Sequence, residues 1–106
     1  FKRIKRGIWN MSKKEIKYQL DPTNKYLNDL KLAKKQGKNL DKLDEIVDIL
    51  AAGKQLESKY KDHKLNGKYQ GYRECHIEAD WLLIYKKFDN ILVLILLRTG
   101  SHSELF

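Results

Sequence analysis

The sequence predicts a small single-domain α+β protein in which two N-terminal helices pack on one face of an antiparallel-rich, twisted sheet. Three observations support this prediction. The chain has 106 residues, of which 42% are hydrophobic, and this suits one compact core. Its first half contains two segments with the apolar spacing of helices. Its second half contains three short strand-like segments, so the predicted element order is β-α-α-β-β-β.

The first predicted elements are a strand and a helix. EIKYQL at 15–20 alternates apolar and polar residues with the period of a half-buried strand. Asp21 and Pro22 follow as a helix start, because aspartate accepts hydrogen bonds from first-turn amides and proline suits the first helical position. A helix is therefore predicted over residues 22–35, with Gly37 ending it.

A second helix is predicted over residues 40–52, where apolar residues recur at i, i+3, i+4 and i+7 and so form one face. Gly53 ends this helix. The charged residues 54–66 show no clear period, and we predict a loop there.

Three strands are predicted in the second half, at 71–78 (GYRECHIE), 80–87 (DWLLIYKK) and 90–98 (NILVLILLR). Their connections are so short that neighbouring strands must be antiparallel. The last segment contains an unbroken apolar run, so we expect a central strand that is covered on both sides. The helices would cover one side; loops, a partner or a concave surface would account for the other.

The domain is expected to span residues 11–106, because Met11 resembles a start residue and residues 1–10 resemble a leader or an extension added for expression. These ten residues hold four basic side chains and no acid, which is half of the formal net charge of +8. They lack the apolar run of a secretory signal, and the longest apolar run, at 91–97, is too short to span a bilayer. We therefore expect a cytoplasmic protein with no membrane contact.

The positive charge that remains favours a polyanionic partner, since each Lys or Arg placed on a phosphate releases counterions. An acidic protein partner fits the charge equally well. The single Cys75 cannot form an internal disulfide, and its place in a predicted strand indicates a buried thiol in a reducing compartment.

Histidine, aspartate and tryptophan residues cluster in the second half, and each has an ordinary structural explanation. His63 would be a solvated loop residue and His76 a hydrogen-bonded interior residue. Asp80 would be a turn residue, Trp81 a core residue and His102 a tail residue. Their clustering nevertheless favours a shared site.

A metal site and a nucleophilic triad both fit this cluster poorly. The chain has no His-x-His or Cys-x-x-Cys spacing, and His76 and Asp80 would share a face only on a helix. Cys75 adjoins His76, and adjacent strand residues point to opposite faces. Neither kind of site is favoured.

Metal-free acid–base cleavage of RNA fits the residue types better. The reaction needs a base for the 2′-hydroxyl proton, an acid for the departing 5′-oxygen and cations for the phosphate. Histidine can perform either proton transfer near neutral pH, aspartate can act as a base, and arginine suits the developing negative charge. DNA lacks the internal nucleophile, so these side chains, if they form a site, select RNA.

Three motifs in order, DHKL at 62–65, GYRECHIEADWLLIYK at 71–86 and LLRTGSHSELF at 96–106, resemble the YafQ-type branch of the RelE toxin superfamily. The similarity is dense over residues 60–106 and weaker over residues 13–52. It implies a RelE-like fold of the microbial ribonuclease type. It also implies the toxin of a type II toxin–antitoxin pair, a ribosome-dependent endonuclease that cuts messenger RNA codons in the A site, inhibits translation and uses no metal or other cofactor.

The resemblance also implies the site residues. The catalytic candidates are His63, His76, Asp80 and His102, and the substrate-binding candidates are Arg73, Trp81, Arg98 and Phe106. His102 is the candidate acid and Asp80 the candidate base or the residue that orients one. The other two histidines would stabilise the phosphate or transfer protons, and exchanging base and stabiliser fits equally well. Phe106 would either stack on a base or anchor the tail.

The implied partners are a cognate antitoxin, the 70S ribosome with its messenger RNA, and operator DNA reached through the toxin–antitoxin complex. We expect an acidic antitoxin with a DNA-binding portion and a flexible neutralising segment. The alternative function is a catalytically silent subunit that binds the ribosome or an antitoxin through its basic surface and co-regulates its operon. The complete set of catalytic candidates favours the enzyme.

Overall fold

The computed structural model describes residues 16–106, so the predicted leader and the first residue of the predicted first strand lie outside the described residues. The elements within them are β1 (Gln19–Pro22), α1 (Asn24–Lys35), α2 (Leu40–Ala51), β2 (His63–Lys64), β3 (Arg73–Glu78), β4 (Trp81–Phe88), β5 (Val93–Gly100) and α3 (His102–Leu105). This order confirms the predicted α+β class and adds a short edge strand and a C-terminal helix.

The five strands form one mixed sheet in the order β1-β5-β4-β3-β2. Strands β3, β4 and β5 are antiparallel, as their short connections predicted, and β2 is antiparallel to β3. Strand β1 lies parallel to β5, with Leu20 opposite Leu94. The chain between these parallel neighbours contains both helices and strands β2 to β4, which is the long connection that parallel pairing requires.

Helices α1 and α2 pack on one face of the sheet, as predicted. Tyr26 and Ala33 of α1 are buried there together with the apolar face of α2. The sheet contributes alternate residues of β3, β4 and β5 to the same core, which are Cys75, Ile77, Trp81, Leu83, Tyr85, Leu94 and Leu96. No helix within residues 16–106 is long and apolar enough to cross a bilayer.

The opposite face of the sheet, which we call the open face, has a smaller core. Leu82 and Ile84 of β4 pack there against Tyr69 from a loop and Leu105 from α3. Strand β4 is therefore the strand that is covered on both sides. The sequence predicted instead that the apolar run at 91–97 is covered on both sides, and this prediction is wrong. Alternate residues of β5 are only half-buried on the open face, and the first two residues of the run lie in an exposed turn.

The boundary between β1 and α1 differs from the prediction. Pro22 ends β1, and Thr23 rather than Asp21 caps the helix. The Thr23 hydroxyl accepts a hydrogen bond from the Tyr26 amide at 3.0 Å and donates one to the Leu97 carbonyl at 2.8 Å. The helix start is therefore fixed by contact with β5, which local sequence does not reveal.

The predicted loop at 54–66 contains structure that was missed. A 3₁₀ turn covers Ser58–Tyr60, and β2 pairs His63 with Glu74 and Lys64 with Arg73. A strand of two residues is too short to show a period, so its pairing depends on β3.

Replacing Leu83 by alanine is expected to lower the free energy of unfolding by about 2–5 kcal/mol, because Leu83 is fully buried in β4 and its removal leaves a cavity. Urea denaturation measures this change. Leu32→Ala, at an exposed position of α1, is the control and should change stability by less than about 0.5 kcal/mol. Equal effects of the two substitutions would contradict the described core.

Candidate active site

The first polar group on the open face consists of His63, Glu74 and His76. Cys75 and Ile77 point into the helix-side core, so the alternation of β3 directs Glu74 and His76 to the open face. Strand β2 places His63 directly opposite Glu74. Two predicted catalytic histidines are thus brought together by cross-strand pairing.

The Glu74 carboxylate lies between the two imidazoles. Its Oε1 atom is 3.4 Å from Nε2 of His63 and 3.5 Å from Nε2 of His76. The two ring centroids are 6.4 Å apart. Glu74 is only 5% exposed, whereas the side chains of His63 and His76 are 49% and 27% exposed. The histidines can therefore meet a ligand that the carboxylate cannot reach.

The tautomer of His63 follows from a contact with the backbone. Its Nδ1 atom is 2.7 Å from the carbonyl oxygen of Lys61. A carbonyl only accepts hydrogen bonds, so Nδ1 carries a proton and donates it. Lys61 adopts a left-handed backbone conformation with φ of 51° at this turn. The Nε2 atom of His63 is left to face Glu74.

The second polar group belongs to the chain end, where α3 replaces the predicted tail. The Ser101 hydroxyl accepts a hydrogen bond from the Glu104 amide at 3.2 Å, and the Glu104 carboxylate accepts one from the Ser101 amide at 2.7 Å. This reciprocal pair is a capping box. The Ser-His-Ser-Glu sequence carries its signature, which our sequence reasoning missed. Hydrogen bonds from the Ser101 amide and Gln36 lower the pKa of Glu104, so the carboxylate is ionised near neutral pH.

His102 is held at the start of α3 from two sides. The Asp80 carboxylate accepts a hydrogen bond from the His102 amide at 2.9 Å. The Phe106 ring stacks on the imidazole with a centroid distance of 4.8 Å and contacts Tyr69 edge-on at 5.1 Å. The Tyr69 hydroxyl donates to the Leu105 carbonyl at 2.8 Å. These contacts keep His102 exposed yet fixed.

The sheet register brings the two groups to the same end of the open face. His76 lies opposite Leu82, and Leu82 lies opposite Gly100. Neighbouring strands are about 4.8 Å apart, so roughly 10 Å separates the backbones of His76 and Gly100. His102 follows two residues after Gly100, and Asp80 lies in the turn between β3 and β4. All four predicted catalytic residues therefore occupy one end of the sheet.

Trp81 lies in the core instead of at the site surface. It is 1% exposed, and its indole Nε1–H donates to the Thr99 hydroxyl at 3.0 Å. It follows Asp80 directly, so it supports that turn from inside. This burial contradicts a direct contact with a ligand in the described conformation.

The two candidate arginines are engaged in ion pairs. Arg98 contacts the Asp29 carboxylate of α1 through Nε at 2.8 Å and Nη2 at 3.1 Å. The Nε atom of Arg73 is 3.2 Å from Oδ1 of Asp62, which also accepts a hydrogen bond from the Tyr85 hydroxyl at 2.7 Å. Both positive charges are thus neutralised within the fold, and substrate binding by either arginine stays a prediction.

Cys75 is buried on the helix side, as predicted. Burial raises the pKa of its thiol far above the ordinary value, so the thiol stays protonated and is not a nucleophile. No group of three or more His, Cys, Asp or Glu side chains is arranged to hold a metal ion in the part of the chain that the structure describes. The side chains of His63 and His76 reach the surface on the open face, where an imidazole can act as an acid or a base.

Comparisons with known proteins all point to one family. Residues 18–106 match the family described as the bacterial toxin of type II toxin–antitoxin system, YafQ. The mRNA interferase toxin YafQ of Escherichia coli strain K12 is 40% identical over 92 residues, which cover 86% of this chain and 98% of the relative.

Solved structures of similar proteins have the same fold. The toxin–antitoxin complex DinJ–YafQ of Escherichia coli matches with a TM-score of 0.78 and 40% identity, covering 86% of this chain and 99% of the matched chain. A metal-bound toxin from Helicobacter pylori matches with a TM-score of 0.78 and 42% identity, over 84% of this chain and 99% of the other.

Replacing Ser101 by alanine is expected to loosen α3, because the Glu104 amide loses its acceptor. The loss of an N-cap corresponds to about 0.5–2 kcal/mol. Hydrogen exchange measured by NMR should show faster exchange of the Glu104 amide, and urea denaturation should show the lower stability. Ser103→Ala, on the exposed side of the same helix, is the control; an equal effect there would argue against the capping box.

Proposed function

Since the chain belongs to the YafQ family of type II toxin–antitoxin toxins, we propose that it is an mRNA interferase that cleaves messenger RNA codons in the ribosomal A site. The observation that carries the proposal is the placement of His63, His76, Asp80 and His102 at one end of the open face. Escherichia coli relatives of nearly the same length are named mRNA interferases. Such cleavage would stop translation.

The proposed reaction is an attack of the 2′-hydroxyl on the adjacent phosphorus. The new bond between the 2′-oxygen and phosphorus gives a cyclic phosphate, and the bond to the 5′-oxygen breaks. His63 or His76 takes the 2′-hydroxyl proton, and the other stabilises the negative charge on the phosphorane. His102, which lies in the second group at the start of α3, protonates the departing 5′-oxygen.

Asp80 takes the orienting role in this mechanism. Its carboxylate accepts the backbone amide of His102, so it holds the start of α3 in place. The described contact is with the backbone and not with an imidazole, which favours orientation over proton abstraction. Phe106 anchors the same helix through Tyr69, and its half-exposed ring can also offer a stacking surface to a base.

Two grooves contain several lysines and suit a polyanion. One groove of about 590 Å³ is lined by His76, Lys59 and Lys61, and its Lys42 is paired with Glu78 at 2.6 Å. Another of about 500 Å³ includes Lys64, Lys86 and Lys87. The lysines of these grooves would bind phosphates of the RNA on either side of the cleaved bond.

The proposed partners follow from the family and from the charge. The chain would bind an antitoxin, as the Escherichia coli YafQ does with DinJ. We expect this antitoxin to be acidic and to carry a DNA-binding portion through which the complex reaches operator DNA. The ribosome and its messenger RNA would be the targets in the cytoplasm, where translation takes place. The basic grooves are the surfaces that we expect an acidic segment to cover.

The His102→Ala variant is expected to cleave at least about 100-fold more slowly, because it lacks the proposed acid. Primer extension on a reporter messenger RNA in a reconstituted translation reaction measures the cuts, and Ser103→Ala is the matched control. Equal cleavage by the variant and the parent would remove the acid role from His102. Absence of cleavage by the parent would favour the silent binding subunit.

Two substitutions at Asp80 separate orientation from base catalysis. Asp80→Asn keeps an oxygen that can accept the His102 amide, so we expect most of the cleavage rate to remain, whereas Asp80→Ala should lower it by about 10–100-fold. Single-turnover rates in the same assay provide the measurement. If asparagine and alanine reduce the rate equally, Asp80 acts as the base.

A further inference from the structure

His63 belongs to a strand that is too short to hold its side chain by itself. Strand β2 has two residues, which pair with Glu74 and Arg73 of β3. One more backbone hydrogen bond follows, from the Leu65 amide to the Tyr72 carbonyl at 2.9 Å. The His63 side chain is 49% exposed, so its own burial adds little. Further contacts have to fix this end of the sheet, because strands with few hydrogen bonds open readily.

Asp62, the residue before His63, makes such contacts. Its Oδ1 atom accepts a hydrogen bond from the Tyr85 hydroxyl at 2.7 Å and lies 3.2 Å from Nε of Arg73. Tyr85 is fully buried in the helix-side core. Adjacent residues of an extended chain point to opposite faces, so the Asp62 carboxylate lies on the helix side while the His63 ring lies on the open face. One oxygen atom thus joins the start of β2 to both β3 and β4.

The partners of Asp62 would be left in an unfavourable state without it. Burial, together with the hydrogen bond and the charge of Asp62, raises the pKa of Tyr85 far above its ordinary value, so the hydroxyl stays protonated and remains a donor. A buried donor that loses its acceptor is destabilising. Arg73 would likewise keep a partly buried charge without its ion-pair partner. The interior of the sheet therefore holds Asp62 in place.

The turn before Asp62 depends on this support. Lys61 has a left-handed backbone with φ of 51°, which is unfavourable for a lysine and persists only where neighbouring contacts hold it. Its amide donates to the Ser58 carbonyl at 3.0 Å, and its carbonyl oxygen is 2.7 Å from Nδ1 of His63. Asp62 lies between this lysine and the histidine. Fixing Asp62 therefore also fixes the carbonyl that orients the imidazole ring.

We propose that Asp62 is a positioning residue for His63, and that its bonds to Tyr85 and Arg73 hold the turn that orients the His63 ring on the open face. This inference rests on the proposed function, in which His63 transfers a proton or stabilises the phosphate. A displacement of about 1 Å in a reacting group can lower a rate by about 100-fold. Asp62 itself does not contact the RNA, because its carboxylate lies on the helix side of the sheet.

Amide hydrogen exchange of the full chain, measured by NMR, tests how Asp62 holds the strand. Asp62→Ala should make the Leu65 amide exchange at least about 10-fold faster, because the end of β2 opens more often. Asp62→Asn should keep the parent's exchange rate within about 3-fold, since its amide oxygen can accept the same two bonds.

The matched control for this experiment is Glu57→Ala. It removes an exposed acid of the same loop whose side chain makes no capping hydrogen bond, so the Leu65 amide should exchange as in the parent. An Asp62→Ala variant with the parent's exchange rate would overturn the proposal. An equally large effect of Glu57→Ala would also overturn it.

Cleavage kinetics in two backgrounds test whether Asp62 acts through His63. In the reconstituted translation reaction, Asp62→Ala should lower kcat by about 10–100-fold with little change in KM, and Asp62→Asn should restore most of it. In the His63→Ala background the same Asp62→Ala substitution should change kcat by less than about 2-fold, because the positioned ring is already gone. A general loss of structure would instead lower kcat by the same factor in both backgrounds, and that result would reject the positioning role.

The two measurements separate this inference from the proposed function. If the parent cleaves no RNA, the proposed function is rejected, and the exchange rates alone decide whether Asp62 holds the turn at His63. If the parent cleaves RNA and Asp62→Ala changes neither exchange nor kcat, the function is kept and the positioning role is rejected. If Asp62→Ala does not fold, Tyr85→Phe takes its place, because it keeps the ring in the core and removes one of the two bonds to Asp62. The parent's exchange rate and kcat in that variant would overturn the proposal.

Discussion

The covering of β4 on both faces is the constraint on which the rest of the structure depends. Helices α1 and α2 cover Leu83 and Tyr85, but Leu82 and Ile84 would remain exposed without the loop at Tyr69 and the chain end. Each such side chain contributes about 1.5–3 kcal/mol when it is buried. The chain end therefore has to fold back onto the open face, and this requirement places His102 at the site.

The ion pairs that stabilise the fold involve other residues than the histidines of the candidate site. Arg98, the secondary substrate-binding candidate, joins β5 to α1 through Asp29, which also accepts the Thr99 amide at 3.0 Å. The pair is largely buried and bidentate, so removing either partner would leave an uncompensated charge. His63 and His102 contribute little to the core, and their exposure is what makes them available for a ligand.

The sequence predicted the elements that have an internal period or a strong terminal residue. The second helix ends at Ala51 because Gly53 adopts a φ of 78°, and the antiparallel order of the last three strands follows from their short connections. Strand β2 and the parallel pairing of β1 with β5 depend on contacts between distant segments. The position of Glu74 was missed for the same reason, since only the register of β2 and β3 places it between two histidines.

Because the candidate site is open, the proposed activity would need a second molecule to hold the RNA in place. The His63 side chain and Phe106 are both 49% exposed, and His76 lines an open groove. A flexible RNA strand on such a surface retains much of its freedom, and precise alignment of the 2′-hydroxyl with the leaving oxygen is a large part of the barrier. A ribosome that already holds the codon would supply that alignment. The toxin then needs to contribute only the proton transfers and the positive charge.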